Sequence, residues 1–365
     1  MLPLSSAAVL QNFLNRTPAD LAFQSNEFAR ALVADFRALS DVPGDADILF
    51  SSLGIPALFG ESPQSQIVVW ERVLRILHSA DPDRYDAIHK GTPFYFLGLA
   101  SYLGEDFERA LFYMDCALEQ DFRLHGERWH LIPSGMSVRL DDAPETQFGR
   151  ELVRVTRGLF EAWGNRVATA GATELSIKSH RTRLVNCGVE RVPSLRAAVT
   201  AFLSFVLEIR PRLTQLQLAP TGSGTGEPFL LHLFKGALLF ETLLRASSGG
   251  QAVVATNPRA TLNDLLSSPS VFMGLQLPAA PQGLGAQTFT DVVARIQSDA
   301  SSGSSFDERA IRAVWGLRNT TGHNLAWPQR PSSVEYEQLF VLVLGSIGVA
   351  VERLYPEHLL ADGTA

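Results

Sequence analysis

The chain has 365 residues, of which 46% are hydrophobic and 19% are charged, and its formal net charge is -7. This composition indicates a globular protein of two or three domains that can bury a sizeable core. The acidic balance argues against a protein that wraps non-specifically around nucleic acid, because such a footprint is usually basic, so any contact with RNA must be local.

Targeting signals and cysteines add few constraints. No apolar run approaches the roughly 18 residues of a membrane helix, and no basic segment precedes an apolar one at the N-terminus, as in a signal peptide. The two cysteines, Cys116 and Cys187, are too few for a disulfide framework or a zinc site and are expected to be buried thiols. We therefore expect a cytoplasmic protein with no membrane contact and no cofactor.

The first part of the chain, residues 1–190, predicts a helical domain. Apolar residues recur at helical spacing over 10–14 and 28–36, and Ser25 precedes the second of these runs as a candidate cap. A further helix is predicted from about 64 to 79. Nothing in these patterns points to an activity for the domain.

Residues 93–121 are more distinctive, because they resemble a single tetratricopeptide repeat. The small residues Gly98, Ala110 and Ala117 are placed so that two antiparallel helices can pack closely. No second repeat follows at an interval of about 34 residues, and a solenoid needs about three repeats. We expect one helical hairpin, serving either as ordinary core packing or as a surface that senses or binds a partner.

The helical pattern is lost over residues 123–142, which predict an irregular loop. This segment holds His125, His130 and the acid pair Asp141 and Asp142, which are residue types that bind metals. No HxxxH or HExxH spacing accompanies them, so we favour the loop and expect no metal site. A helix is predicted again from residue 146.

Residues 171–194 lack a helical period and hold the densest basic cluster of the chain, which consists of Lys178, His180, Arg181 and Arg183. Two interpretations compete. The cluster is either a solvated connection between domains, as charge runs usually are, or a patch that binds RNA phosphates. We favour the connection and place the domain boundary near Pro193.

The second domain, residues 194–358, predicts a bundle of four or five helices. Its helix from Leu195 is expected to bend or end at Pro211, and the glycine-rich loop before Pro228 lacks the GK[ST] sequence of a phosphate-binding loop. A Ser-, Gly- and Pro-rich insertion is expected at 247–287. The remaining predicted helices are 229–244, which is apolar nearly all round, a short one at 261–266, and 288–298, 306–321 and 334–354.

Arg318, Asn319 and His323 lie at the end of the helix predicted over 306–321. Their order resembles the active-site signature of HEPN-domain ribonucleases, in which an arginine and a polar residue precede a histidine by four to six positions. The spacing alone is not specific, but only Arg318 is followed by a polar residue. The same Arg-x4-His spacing occurs at Arg84/His89, Arg318/His323 and Arg353/His358.

The chemistry of these residues is consistent with the resemblance. Gly322 is a natural helix terminator, and the carbonyls at a helix C-terminus favour an imidazolium, which suits His323 as a proton donor. Arg318 could hold the scissile phosphate through two hydrogen bonds, and Asn319 could donate to it. Glu241 on the apolar helix is expected either to support the motif or to pair with Arg245 one turn away.

The resemblance implies an all-α chain, in which the helical N-terminal domain precedes a HEPN-type bundle. It implies a metal-independent endoribonuclease in which the RNA 2′-hydroxyl attacks and leaves a 2′,3′-cyclic phosphate. HEPN nucleases pair two motifs across a homodimer interface, and many are toxins or antiviral defence effectors, so an antitoxin or defence-complex partner is expected at the N-terminal domain.

Two other functions are consistent with the sequence. One is a non-catalytic HEPN scaffold that binds RNA or a nucleotide through the same motif, and the other is a helical protein-interaction adaptor. The presence of both Arg318 and His323 favours the nuclease over the scaffold.

Overall fold

All regular secondary structure in the described residues is helical, as predicted, and no strand occurs among them. The chain divides into two units, Met1–Val153 and Arg154–Ala365. The structure is a computed structural model that describes residues 5–15, 18–40, 44–60, 62–141, 147–171, 176–188, 195–219, 224–272, 293–294, 297–298, 301, 305–321 and 330–360.

The first unit is built from short and medium helices joined by tight turns. Ser25 accepts a hydrogen bond from the Phe28 backbone amide, as expected of a helix cap. Its helices are α1 (Ser5–Leu14), α2 (Ala19–Gln24), α3 (Asn26–Ala38), α4 (Asp45–Ser52), α5 (Ile55–Phe59), α6 (Pro63–Ala80), α7 (Pro82–Ala87), α8 (Gly91–Leu103), α9 (Phe107–His125) and α10 (Pro133–Arg139).

The core of the first unit is aromatic and aliphatic. Phe28, Leu32 and Phe36 are fully buried at helical spacing on α3, and Trp70 on α6 is buried against Phe50. Burying each such side chain stabilises the fold by roughly 1.5–3 kcal/mol. The amphipathic helices predicted over 28–36 and 64–79 are therefore confirmed by the faces that they bury.

The hairpin predicted over 93–121 corresponds to the helix pair α8 and α9. A Cβ atom on Gly98 would lie 3.1 Å from the Ala110 carbonyl oxygen and 3.3 Å from the Met114 side chain. Ala110 and Ala117 are buried on the facing helix. Small residues thus let the two backbones approach, as the sequence indicated.

The prediction of an irregular loop over 123–142 is wrong. The helix α9 extends to His125 and ends at Gly126, whose φ of +55° favours glycine. A 3₁₀ helix, Gly126–Leu131, and α10 then follow. Trp129 explains this order, because its side chain is fully buried and ties the segment to the core.

The second unit is organised around long helices. Its elements are α11 (Gln147–Thr169, which begins in the first unit), α12 (Ile177–Ser179) with a π-helical turn (His180–Val185), α13 (Arg196–Leu218), α14 (Glu227–Ala246), α15 (Ser248–Thr256), α16 (Leu262–Ser267), α17 (Pro269–Phe272), α18 (Phe306–Thr321) and α19 (Ser333–Leu354). The predicted helix 288–298 lies mostly outside the described residues.

The division between the units differs from the predicted boundary near Pro193, which itself lies outside the described residues. The segment after residue 176 is helical rather than irregular, and it belongs to the second unit. Asn186 donates to the His358 carbonyl at 2.6 Å, and Thr182 accepts from the His358 amide at 2.9 Å. These hydrogen bonds join it to the C-terminal end of the same unit.

Pro211 does not end α13, which continues to Leu218. Interior proline costs roughly 3 kcal/mol, and the burial of Phe202, Phe205 and Ile209 upstream offsets that cost. The expected insertion at 247–287 is also more ordered than predicted. Up to residue 272 it forms α15, α16 and α17, and the rest lies outside the described residues.

The helix Ser333–Leu354 is long and apolar enough to cross a membrane by length and composition, contrary to the expectation that no apolar run approaches that length. About two thirds of its apolar window (67%) is buried inside the second unit. A core helix of a protein can have the same length and apolar composition, because its apolar residues face protein on most sides.

The helix α14 is buried on most sides and carries polar side chains that must find partners there. His232 Nε2 lies 2.8 Å from the Phe205 carbonyl oxygen, and Nδ1 lies 2.6 Å from the Tyr336 hydroxyl. A carbonyl can only accept, so Nε2 carries the proton and Nδ1 accepts from Tyr336. One turn along, Lys235 donates to Glu208 at 2.7 Å.

Burial lowers the pKa of His232 to about 4, so this imidazole stays neutral in the fold. The surroundings of the neighbouring Glu208 instead favour its charged form. Burial alone would raise its pKa, but the charge of Lys235 and the surrounding hydrogen bonds hold it below the ordinary value. The network thus combines a neutral histidine with a charged pair.

Acidification is expected to destabilise the second unit through His232. The unfolded chain takes up this proton near pH 6.5 and the folded chain only near pH 4. The contribution of the neutral His232 to the free energy of unfolding is therefore present above pH 6.5 and is lost as the pH falls towards 4. The free energy of unfolding should fall by about 2 kcal/mol between pH 7.5 and 5. Urea unfolding at these two pH values measures the loss.

The control is His232→Gln, whose amide can donate to Phe205 and accept from Tyr336 without titrating. The pH dependence of its unfolding free energy should be smaller than that of the parent by the same amount. Equal pH dependence in the two proteins would contradict the assignment.

Candidate active site

The predicted motif begins in the last turn of α18, where Arg318 and Asn319 are both partly buried. Gly322 and His323 lie outside the described residues. The arginine is therefore the motif residue whose surroundings define the site, and its side chain is 34% exposed.

Two residues of α14 fix the Arg318 side chain. Its Nε donates to Glu241 Oε2 at 3.0 Å, and its guanidinium carbon lies 5.2 Å from the centre of the Phe234 ring. The aromatic face attracts the cation, and the carboxylate gives the guanidinium plane a fixed direction. Arg318 Nη1 and Nη2 make no hydrogen bond with any residue in the described ranges.

Glu241 holds a second arginine as well. Arg245 donates to Oε1 through both Nε (2.9 Å) and Nη2 (2.7 Å), and its Nη2 also donates to the Ala260 carbonyl at 2.5 Å. Support of the motif and pairing with Arg245 were alternatives in the sequence, and both occur. The Glu241 side chain is only 12% exposed, so its two ion pairs are shielded from water more than surface pairs are.

The charge of this arrangement is positive. Two guanidinium groups share one carboxylate, so the sum of Arg245, Arg318 and Glu241 is +2 - 1 = +1. The exposed part of Arg318 presents that charge. A local cationic point of this kind can bind a phosphate even though the whole chain is acidic.

The sequence pattern missed Phe234, although its spacing carried a signal. Phe234 lies seven residues before Glu241, and two turns of a helix return to the same face. Leu231 and Leu238 belong to this face too, and both are exposed, at 41% and 39%. The helix predicted to be apolar nearly all round thus leaves an uncovered stripe beside Arg318.

The four basic residues considered for RNA binding have other contacts. His180 is fully buried between the rings of Phe160 and Phe202, at centroid distances of 5.3 and 6.0 Å. Arg181 is partly buried. A phosphate cannot reach the buried imidazole without a change of structure.

Lys178 and Arg183 of the same cluster pair with carboxylates near the C-terminus. Lys178 lies 3.0 Å from Glu357, and Arg183 lies 3.0 Å from Glu352 and donates to the Tyr355 carbonyl at 2.7 Å. These contacts favour a structural role over phosphate binding. Among the described contacts, none joins the cluster to Arg318.

The other two Arg-x4-His pairs also have structural contacts. Arg84 donates to the Phe36 and Leu39 carbonyls at the end of α3, rather than pairing with the neighbouring aspartates. Arg353 pairs with Asp307 at 3.5 Å. Structural contacts thus account for both of these arginines, and the assignment of the motif to Arg318 stays a prediction.

A groove of about 620 Å³ lies at the opposite end of α18, lined by Phe306, Arg309 and Val334 among others. Nine residues separate Arg309 from Arg318, which is about 13 Å along a helix. The groove and the arginine site are thus separate features of the second unit.

Removing Glu241 is expected to cost more stability than removing Arg318. Glu241→Ala leaves two neighbouring arginines without their carboxylate, which should lower the free energy of unfolding by about 3 kcal/mol. In Arg318→Ala, Glu241 keeps Arg245, and the loss should be about 1 kcal/mol or less. Chemical denaturation measures both values.

Arg309→Ala is the matched control, since this exposed arginine on the same helix also lies over an aromatic ring, that of Phe306. It should change stability by less than about 0.5 kcal/mol. If Arg318→Ala proved more destabilising than Glu241→Ala, Glu241 would not be the residue that holds both arginines.

No family model, no curated protein and no solved structure matches this chain. The resemblance to HEPN ribonucleases therefore rests on Arg318, Asn319 and His323 and on their helical setting, and it stays a prediction. The contact between Arg318 and Glu241 is independent of that resemblance.

Proposed function

We propose that this protein is a metal-independent endoribonuclease of the HEPN type. The observation that carries the proposal is the Arg318 guanidinium, which Glu241 and Phe234 hold in one orientation while a third of the side chain stays exposed. A fixed, partly exposed guanidinium at a helix C-terminus suits the recognition of a phosphodiester.

The proposed reaction uses the RNA itself as the nucleophile. The 2′-oxygen bonds to the adjacent phosphorus and loses its proton to a base, while the bond from phosphorus to the 5′-oxygen breaks. The departing 5′-oxygen takes a proton from an acid, which we assign to His323. The products are a 2′,3′-cyclic phosphate and a 5′-hydroxyl, so DNA, which lacks the 2′-hydroxyl, is not a substrate.

Arg318 acts in this reaction by binding charge. Its terminal amines would donate to the non-bridging phosphate oxygens, whose negative charge grows as the fifth bond to phosphorus forms. Glu241 keeps Nε occupied and the guanidinium plane fixed, so it serves as a positioning residue. Asn319, next along α18, would donate a further hydrogen bond to the phosphate.

One arginine and one histidine are few groups for acid and base catalysis, so we propose a composite site at a homodimer interface. The exposed Leu231 and Leu238 flank Phe234 beside Arg318 and offer an apolar surface for a second copy. Two motifs that face one another would supply both an acid and a base.

The biological role that fits this chemistry is that of a toxin or antiviral defence effector. In that role the first unit would bind an antitoxin or another component of a defence complex. The exposed Phe112 on α9, at 62% exposure, is a candidate contact for such a partner.

The activity test compares the purified parent with Arg318→Ala and His323→Ala on total RNA in the presence of EDTA. The parent should cleave RNA and leave 2′,3′-cyclic phosphate ends. Each variant should lose at least about 100-fold in rate, the usual loss for a missing acid or charge-stabilising group. Arg309→Ala is the control and should retain full activity.

The outcomes separate the candidate functions. Equal cleavage by the parent and both variants would come from a contaminating nuclease and would contradict the proposal. RNA binding that depends on Arg318 without cleavage would indicate the scaffold, and the absence of both activities at high protein concentration would favour the adaptor.

The dimer test places a charge on the exposed stripe. Leu238→Asp should convert the dimer to a monomer in light scattering and lower the cleavage rate by at least about 100-fold, because a buried unpaired carboxylate would oppose association. Leu218→Asp, at an 81% exposed position of α13, is the control and should leave both unchanged. An active Leu238→Asp monomer would refute the shared site.

A further inference from the structure

We infer that the first unit binds one divalent ion of the zinc class through His89, Asp121 and His125. This inference does not rest on the proposed function, and it departs from the expectation of no metal site. One ligand atom from each of these residues lies within 4.8 Å of the other two. His89 Nε2 and Asp121 Oδ1 are 3.0 Å apart.

The three ligands come from two neighbouring positions in the fold. His89 lies just before α8, whereas Asp121 and His125 lie one turn apart near the end of α9. Residues four apart on a helix share a face, so the helix pair brings both to His89. Ligands of a tetrahedral zinc ion are roughly 3.4 Å apart, so a modest movement of His125, which is only partly buried, would complete the geometry.

Hydrogen bonds outside the ligands orient them as in metal sites. Both carboxylate oxygens of Asp47 lie 3.2 Å from His89 Nδ1, and Thr92 donates to Asp47 at 3.0 Å. Ser134 donates to the second oxygen of Asp121 at 2.5 Å. A carboxylate on the far nitrogen of a histidine fixes its tautomer and strengthens it as a ligand.

The backbone leaves room for this convergence at Gly91. A Cβ atom there would lie 2.3 Å from Asp121 Oδ1 and 2.6 Å from His89 Cε1. Both side chains are nearly excluded from water, with 8% of His89 and 4% of Asp121 exposed. Any side chain at position 91 would therefore separate the two ligands.

The competing explanation is an ion triad without metal, in which a protonated His89 donates to Asp47 and Asp121. That triad has a net charge of -2 + 1 = -1, with His89 and Asp121 buried and Asp47 33% exposed, whereas a divalent ion with neutral histidines gives -2 + 2 = 0. The triad also gives no role to His125. Its ring lies 6.2 Å from that of His89, and it has no hydrogen-bonding partner among the described residues.

The donor set selects the class of ion. Two imidazoles and one carboxylate suit zinc and neighbouring first-row ions rather than magnesium or calcium, which prefer oxygen. Three protein ligands leave a fourth position for water or another small ligand. The partly buried His125 lies on the accessible side of the site.

The test titrates the EDTA-stripped, dialysed full chain with Zn²⁺ by calorimetry, and with Co²⁺ by its visible tetrahedral bands. The parent should bind about one ion per chain. His125→Ala should weaken binding by more than about 100-fold, and Asp47→Asn by about 10-fold to 100-fold. Mg²⁺ should not compete.

His130→Ala is the control, because this histidine lies five residues further along and its Nδ1 donates locally to the Glu127 carbonyl at 2.8 Å, so its loss should leave binding unchanged. Circular dichroism checks that each variant is folded, and His125→Ala should melt like the parent when no metal is present. The inference is overturned if the parent binds no stoichiometric ion, or if His125→Ala binds as tightly as the parent.

Discussion

A helix that is buried on most sides can keep polar side chains only where each has a partner, and this constraint on α14 organises the second unit. His232 donates to the Phe205 carbonyl and accepts from the Tyr336 hydroxyl, and Lys235 donates to Glu208. At the far end of the helix Glu241 meets Arg245 and Arg318. An unpaired carboxylate there would carry a desolvation cost of several kcal/mol. Arg245 on the same helix already pairs with Glu241, and the second pairing, with Arg318, orients the motif arginine at the end of α18.

Local patterns predicted much of this fold, because helical spacing and caps are short-range signals. The faces of α3 and α6, the close packing of α8 against α9, and the buried α14 all follow from residues within one or two turns. The failures lie where distant packing decided the structure. Trp129 made a predicted loop helical, and contacts with Tyr355 and His358 drew residues 177–188 into the second unit.

The two polar clusters show how far site prediction from sequence could go. The neighbours of Arg318 in the chain made it a candidate, but its partner Glu241 lies 77 residues away, and only folding joins them. In the first unit Asp121 and His125 carried a usable signal, since they are one turn apart on a helix. His89, 32 residues before Asp121, did not. Its apparent pairing with Arg84 pointed elsewhere, and Arg84 instead binds the carbonyls at the end of α3.

The two clusters use a buried carboxylate in opposite ways. Glu241 binds two arginines that cannot lose their protons, so the sum of the three charges stays positive, and both arginine side chains remain about a third exposed (35% and 34%). Asp47 and Asp121 surround a histidine, whose proton a metal ion can replace, and their charge exceeds what one imidazolium can neutralise. The first arrangement suits an anion that arrives from solvent. The second suits a cation held within the fold. The proposed binding of RNA phosphate in one unit and the inferred metal site in the other therefore rest on separate clusters, and neither proposal requires the other.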